Sequence, residues 1–123
     1  MLSTERINAH SWWISVFEPL PHERQDLIQK YEVTKELLDY AIDPYEKARV
    51  GVDPDAEVTL LIFDVYVPTH EVTAPQTAPI GIMLTNNNLI TFTNAKTNFV
   101  NGTIANQLKR LQNRDTVVEK LNL

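Results

Sequence analysis

The hydrophobic residues of this chain fall into two patterns, short apolar runs typical of strands and longer segments with helical spacing. The run 11–17 is aromatic and β-branched, and the prolines that follow it stop a strand, so a first strand is predicted there. The run 58–67 is apolar at nearly every position and predicts a central strand buried on both faces. Runs 80–84 and 89–92 flank Thr85-Asn86-Asn87-Asn88, whose asparagines tolerate a left-handed turn, so an antiparallel hairpin is predicted.

Helical spacing of apolar residues occurs in three further segments. The segment 21–31 places its apolar side chains on one face, which predicts a short amphipathic helix. A second helix is predicted to follow Thr34, a good capping residue, and to end at Asp43-Pro44, because the residue before proline avoids the α region. A third helical pattern spans 99–111, and 117–121 predicts either another helix start or a frayed end.

The order of these elements determines the expected fold class. The segment 68–79 holds three prolines and few hydrophobic residues, which predicts a loop or a wide hairpin connection. Along the whole chain, the predicted order is one strand, two helices, three strands and a helix. This order predicts an α/β (α+β) fold with a mixed, largely antiparallel sheet covered by helices. Trp12 and Trp13 occupy adjacent strand positions, so we expect one to be buried and the other to lie at a rim or an interface.

Length and composition indicate one ordinary globular domain, residues 1–123. The chain is 43% hydrophobic and 22% charged, and its formal net charge of -5 argues against a surface that binds nucleic acid. It has no cysteine, which excludes disulfides and thiolate metal sites and is consistent with the cytosol. The apolar run 58–67 is much shorter than the roughly 20 residues that cross a bilayer, so we expect this chain not to span a membrane.

Common catalytic and nucleotide-binding motifs are missing from the sequence. The three histidines, His10, His22 and His70, lack the i, i+4 spacing of a helical metal site and are expected to be exposed bystanders. The three glycines are isolated, so there is no phosphate-binding glycine loop, and there is no Gly-x-Ser-x-Gly nucleophile motif. We therefore expect no enzyme activity.

A group of carboxylates near the end of the second helix is the one candidate site. Asp39 and Asp43 are spaced i, i+4, with Glu36 and Glu46 close by in sequence, and oxygen ligands of this kind suit Mg2+. The alternative interpretation is a solvated acidic helix face, which is common. Another alternative is a small hydrolase with Asp39 and Asp43 as an acid–base pair, which would need a concave pocket.

Five sequence segments, in order, resemble the cytoplasmic N-terminal domain of the CorA family of divalent-cation transporters, in the branch found in Gram-positive bacteria. The resemblance covers about 11–108, most of the chain, and is carried by Trp13-Ile14-Ser15-Val16-Phe17-Glu18-Pro19, by Tyr31-Glu32-Val33 with 37–43, by Glu46-Lys47-Ala48-Arg49-Val50, by Leu60-Leu61-Ile62-Phe63-Asp64-Val65, and by 78–92.

The resemblance implies a homopentameric Mg2+ transporter whose N-terminal domain is an α/β/α sandwich, followed by a stalk helix and two membrane helices. The Gly-Met-Asn pore signature of the family is absent from this sequence. We therefore expect a regulatory and sensing domain at the cytoplasmic face of the cell membrane. This domain is expected to be soluble, to be unable to transport ions alone, and to have neighbouring subunits of the pentamer as its partners. The isolated domain is expected to be a monomer or weak dimer. The alternative is a freestanding protein-interaction module of the same fold.

The resemblance also implies a regulatory Mg2+ site between neighbouring domains, with carboxylates on the second helix. Where the family carries two adjacent acidic residues, this sequence has Asp39 followed by Tyr40, which cannot serve as a carboxylate ligand, and Asp43 lies one turn further on. The prediction is a weak regulatory Mg2+ site at Asp39 and Asp43, with no other cofactor.

Overall fold

A computed structural model describes residues 1–69 and 75–120 of the chain. Within these residues, three helices accompany one six-stranded sheet with strand order β1-β2-β6-β5-β4-β3. The β2–β6 pair is parallel and the other neighbouring pairs are antiparallel, which confirms the mixed, largely antiparallel sheet. In chain order the elements are β1 Leu2–Arg6, β2 Trp12–Phe17, α1 Pro21–Lys30, α2 Lys35–Ile42, β3 Arg49–Asp53, β4 Val58–Val67, β5 Gln76–Leu84, β6 Asn88–Thr93 and α3 Val100–Lys120.

Helices α1 and α2 pack on one face of the sheet and enclose the main core. Ile14 and Val16 of β2 meet Leu27 of α1 and Leu38 of α2 there, and all four side chains are 0–1% exposed. Thr34 caps α2 as predicted, because its hydroxyl accepts the N–H of Leu37 at 3.3 Å. Further core residues on this face are Val33, Leu37, Ala41, Val58, Leu60, Ile62, Met83, Ile90 and Phe92.

Helix α3 crosses the opposite face of the sheet, so the sheet has helices on both sides. Asn101 Nδ2 donates to Thr93 Oγ1 at 3.4 Å, and Gln112 Nε2 donates to the carbonyls of Arg6 and Ile7 at 2.9 and 3.1 Å. The helix therefore runs from the end of β6 to the end of β1. A helix between these two points passes over β6, β2 and β1, where Trp13 is 5% exposed, whereas Val50 of β3 and Phe63 of β4 on this face are 69% and 40% exposed.

The position of α3 explains why the prediction for β4 is only half right. Strand β4 is internal, and Leu60 and Ile62 on the α2 face are 0% and 4% exposed. On the other face, Leu61 is partly buried and Phe63 is 40% exposed. The expectation of burial on both faces is wrong, because no helix of the described residues covers this side of β4.

The β5–β6 hairpin forms with the predicted partners, and Met83 lies opposite Ile90. The turn is held by Thr85, whose N–H donates to the carbonyl of Asn88 at 3.0 Å and whose hydroxyl accepts the N–H of Asn88 at 3.1 Å. The expected left-handed asparagines are wrong, since positive φ among the described non-glycine residues occurs only at Glu18, Glu32 and Glu57. A threonine side chain supplies the second bond that closes this turn.

The structure contains two strands that the sequence patterns did not reveal, β1 and β3, and they form the two edges of the sheet. Strand β5 starts at Gln76, inside the segment predicted as a loop or a wide hairpin connection, and it pairs antiparallel with β4, so the hairpin alternative is the correct one and the connection is shorter than predicted. At the other end α3 continues through Lys120 as one helix, so the first of the two alternatives for 117–121, a separate helix start, is wrong. Leu121 lies outside the described residues. The tryptophan prediction is confirmed, with Trp13 5% and Trp12 38% exposed.

Candidate functional site

Asp39 lies on the exposed surface of α2, one turn before the end of the helix. Its Oδ2 is 3.6 Å from Nζ of Lys35, one turn earlier, and the two side chains are 57% and 81% exposed. A surface pair of this kind contributes little to stability and exchanges readily with solvent. The carboxylate of Asp39 is accessible to a cation, but a bound cation would compete with the ammonium group of Lys35.

Asp43 occupies a different environment, at the C-cap of α2. Its backbone turns to an extended conformation, and its Oδ1 accepts the N–H of Tyr45 at 2.9 Å. One carboxylate oxygen therefore closes the turn that follows the helix, which leaves Oδ2 for solvent or an ion. Because the two aspartates start one turn apart, their Cβ atoms are about 6 Å from each other on a regular helix.

Tyr40, Glu36, Glu46 and Arg49 form a second polar group beside the aspartates. The Tyr40 hydroxyl donates to Glu36 Oε1 at 3.4 Å, and the Arg49 guanidinium stacks over the Tyr40 ring at 4.2 Å from its centroid. Arg49 Nη1 is also 3.6 Å from Glu46 Oε1. Two of the predicted carboxylates are thus engaged by Tyr40 and Arg49. Sequence reasoning missed Arg49, since its approach to α2 depends on the unpredicted strand β3.

A cavity of about 630 Å³ opens where the parallel strands β2 and β6 end. Its lining includes two acidic side chains, Glu18 and Asp43, and two basic ones, Arg24 and Lys96. Glu18 has a positive φ of 41°, and its Oε1 accepts the N–H of Ala95 at 3.2 Å, which ties the end of β2 to the segment after β6. Asp39 does not line this cavity, so the structure does not bring the two aspartates together in a pocket as a hydrolase would require.

The carboxylate and histidine side chains of the described residues are too dispersed to form a complete metal site. Within the described ranges, no three histidine, aspartate or glutamate side chains cluster tightly enough to hold an ion by themselves. Asp39 and Asp43 can therefore offer at most a pair of carboxylates, which suits Mg2+ held through its own water molecules. His10 and His22 are exposed, and His70 lies outside the described residues.

Comparison with known proteins finds similarity over most of the chain. The family model described as "CorA-like Mg2+ transporter protein" matches residues 8–122. The soluble domain of CorA from Methanocaldococcus jannaschii shares the fold at TM-score 0.63 and 24% identity, over 82% of this chain and 38% of that one. The complete CorA magnesium transporter of that organism matches at TM-score 0.61 and 23% identity, over 84% of this chain and 31% of the transporter.

A more distant similarity is to the full-length CmaX protein, at TM-score 0.51 and 14% identity, over 67% of this chain and 25% of that protein. No curated protein sequence matches the chain at a significant level. This chain spans well under half the length of each matched structure. None of the helices in 1–69 and 75–120 is both long and apolar enough to cross a membrane.

Proposed function

This chain belongs to the family of CorA-like Mg2+ transporter proteins, and from that premise we propose that it is the cytoplasmic regulatory and sensing domain of a divalent-cation transporter. The family match over residues 8–122 is the observation that carries this proposal. The family is one of transporters rather than enzymes. Because transport requires a path across the bilayer, the proposed role is to report the ion concentration to a membrane part rather than to move ions.

In the longer protein, the proposed partners are neighbouring copies of the same domain in a homopentamer at the cytoplasmic face of the membrane. The shared fold with the soluble part of an archaeal CorA supports such an arrangement. The exposed position of α2 also supports it, since Asp39 and Asp43 are accessible to a subunit placed beside them. A cation between two subunits could take further oxygen ligands from the neighbour.

We assign a weak Mg2+ site to Asp39 and Asp43. Asp39 must give up or share its contact with Lys35, and Asp43 has one oxygen committed to Tyr45, so few strong ligands remain. Mg2+ also releases its water molecules reluctantly. In the isolated chain the expected dissociation constant is therefore in the millimolar range, which suits a sensor of bulk cytoplasmic Mg2+.

Thermal unfolding with and without Mg2+ tests this assignment. At a free Mg2+ concentration equal to the dissociation constant, linkage adds about 0.4 kcal/mol and raises Tm by about 2 to 3 °C. The double variant D39N/D43N should lose this shift, while its Tm without metal stays unchanged or rises slightly because two like charges near a helix end are removed.

The matched control is E5Q/D55N, which removes the same charge at two exposed carboxylates distant in sequence. It should keep the Mg2+ response, and a monovalent salt at equal ionic strength should not reproduce it. Equal Mg2+ shifts in the wild type and in D39N/D43N would contradict the site. A micromolar affinity would show that other ligands take part.

A further inference from the structure

Strand β3 forms an open edge of the sheet. Among the described residues, the backbone hydrogen bonds of Arg49–Asp53 go to β4 alone, so the outward N–H and C=O groups of this strand have no protein partner. Val50 and Val52 are 69% and 62% exposed on the face that α3 leaves open. The strand has an unbroken register with β4 and contains no bulge, lysine or proline, and its two charged residues, Arg49 and Asp53, lie at its ends, so its centre is open to pairing with another strand.

The opposite edge, β1, is closed by side chains. Glu23 Oε2 accepts the N–H of Leu2 at 3.0 Å, and Gln112 Nε2 donates to the carbonyls of Arg6 and Ile7. These bonds occupy backbone groups at both ends of β1, where another strand would have to dock. The two edges of one sheet thus differ, and β3 is the edge able to accept a further strand.

The sequence of β3, Arg-Val-Gly-Val-Asp, is complementary to itself when read in the antiparallel direction. A second copy centred on Gly51 places Arg49 opposite Asp53 of the copy, and Val50 opposite Val52, each pair occurring twice. Opposite charges and paired β-branched residues both stabilise neighbouring antiparallel strands. A shift of the centre to Val50 or Val52 loses both charge pairs, and a parallel arrangement puts like charges together.

The Arg49 side chain is already held in position for such a pair. It lies between the Tyr40 ring and the Glu46 carboxylate on the α2 face, and its side chain is still 41% exposed. Asp53 lies on the same face, since alternate residues of a strand share a face, and its Oδ1 accepts the N–H groups of Asp55 and Ala56. Both charged groups are therefore fixed near the edge before a partner arrives.

From this complementarity we infer that the β3 edge is a pairing surface for a second copy of this chain, with a two-fold axis at Gly51. The dimer has one continuous sheet, and the valines of each copy extend the apolar face that carries Phe63 and Leu84, which are 40% and 43% exposed. This inference does not depend on the proposed role in transport. It names the surface used by the weak dimer that the sequence allows.

Sedimentation equilibrium on three forms of the full chain tests the pairing and its register, from about 10 µM to about 1 mM protein. The wild type should be partly dimeric in the upper part of this range. In V50K/V52K, the lysine at 50 of each copy faces the lysine at 52 of the other, so two pairs of like charges oppose each other. This variant should weaken association about tenfold or more. V50K/V52E places opposite charges in the same positions and should restore association to within about threefold of the wild type.

Both variants replace the same exposed valines with charged residues, so circular dichroism should show equal folding. A wild type that is monomeric throughout overturns the inference. If V50K/V52K associates as strongly as the wild type, β3 is not the pairing surface. If V50K/V52K and V50K/V52E are weakened equally, the inferred register is wrong.

Disulfide trapping gives a second measurement that does not rely on affinity. The chain has no cysteine, so V50C and V52C each introduce a single thiol. In the inferred register, residue 50 of one copy faces residue 52 of the other at about 4.5 to 5.5 Å between Cα atoms, while two copies of residue 50 are about 7 to 8 Å apart on the diagonal. Because bridges rarely span more than about 7 Å, mixing V50C with V52C should give cross-linked dimers at least about tenfold faster than either alone. Equal rates would contradict the register.

Discussion

The two halves of the sheet are built from similar apolar strands, but they have different surroundings. In the covered half, formed by β1, β2 and β6, helices pack on both faces, and Trp13 and Thr91 on the α3 face are 5% and 2% exposed. In the open half, formed by β3 and β4, the same face exposes Val50 and Phe63. Strand β4 is about as apolar as β2, so the path of one helix, rather than strand composition, determines which residues are buried.

The largest effect expected from this difference is a contrast between two aromatic residues on the same sheet face. Replacing Trp13 by Ala removes a buried ring and leaves the Thr91 hydroxyl without the indole N–H that donates to it at 3.0 Å, so it should cost about 3 to 5 kcal/mol. Replacing Phe63 by Ala should cost only about 1 kcal/mol, because the ring is already 40% exposed. Urea unfolding of both variants measures the contrast, and equal losses would show that the open half is covered in solution.

A smaller contrast is expected between two glycines that face α2. A Cβ on Gly81 would lie 3.0 Å from the carbonyl oxygen of Ala41 and 3.2 Å from its Cα, so helix and sheet must separate, and G81A should cost about 1 to 3 kcal/mol. A Cβ on Gly51 would meet the end of the Leu37 side chain at 3.3 Å, which can move. G51A should therefore change stability by less than about 1 kcal/mol. Similar losses in both variants would show that α2 packs equally tightly against both strands.

The smallest effect concerns the closed edge and depends on pH. Accepting the N–H of Leu20, together with the bond to the amino terminus, lowers the pKa of Glu23 below its ordinary value of 4.5. A carboxyl whose pKa is lowered by folding stabilises the protein above its unfolded pKa, and this contribution is lost as the pH falls through the folded pKa. The Tm difference between wild type and E23Q should thus be positive near neutral pH and vanish in acid. The exposed E5Q serves as control, and a difference independent of pH would contradict the role of this charge.

The elements predicted from the sequence are those whose residues are buried by several neighbours. Helices α1 and α2, strand β4 and the β5–β6 hairpin all carry long apolar patterns. The missed strands, Leu2–Arg6 and Arg49–Asp53, each pair on one side only and bury little, so their residues have no clear alternation of apolar and polar positions. A local pattern cannot reveal such strands, because their pairing depends on neighbours that are distant in sequence.

The part of the candidate site that depends on local helical spacing was predictable, and the part that depends on distant neighbours was not. The positions of Asp39 and Asp43 on α2 follow from helical spacing, and so does the contact of Asp39 with Lys35 one turn away. The environment of Tyr40 did not follow, because Arg49 reaches it from an edge strand that the sequence did not reveal. The apolar patterns predicted the order of the helices and the four strands that they revealed, the resemblance over 11–108 added the family, and the family match spans 8–122.

The central proposal, that this domain senses Mg2+ through α2, is tested most directly by following backbone amide resonances during a Mg2+ titration. We expect shifts confined to Asp39, Asp43 and the adjoining turn at Tyr45, saturating in the millimolar range and absent in D39N/D43N. Resonances of β1 and of the exposed residue Asp55 should stay unchanged. Shifts centred elsewhere in the chain, or none on α2 up to about 20 mM Mg2+, would contradict the assignment.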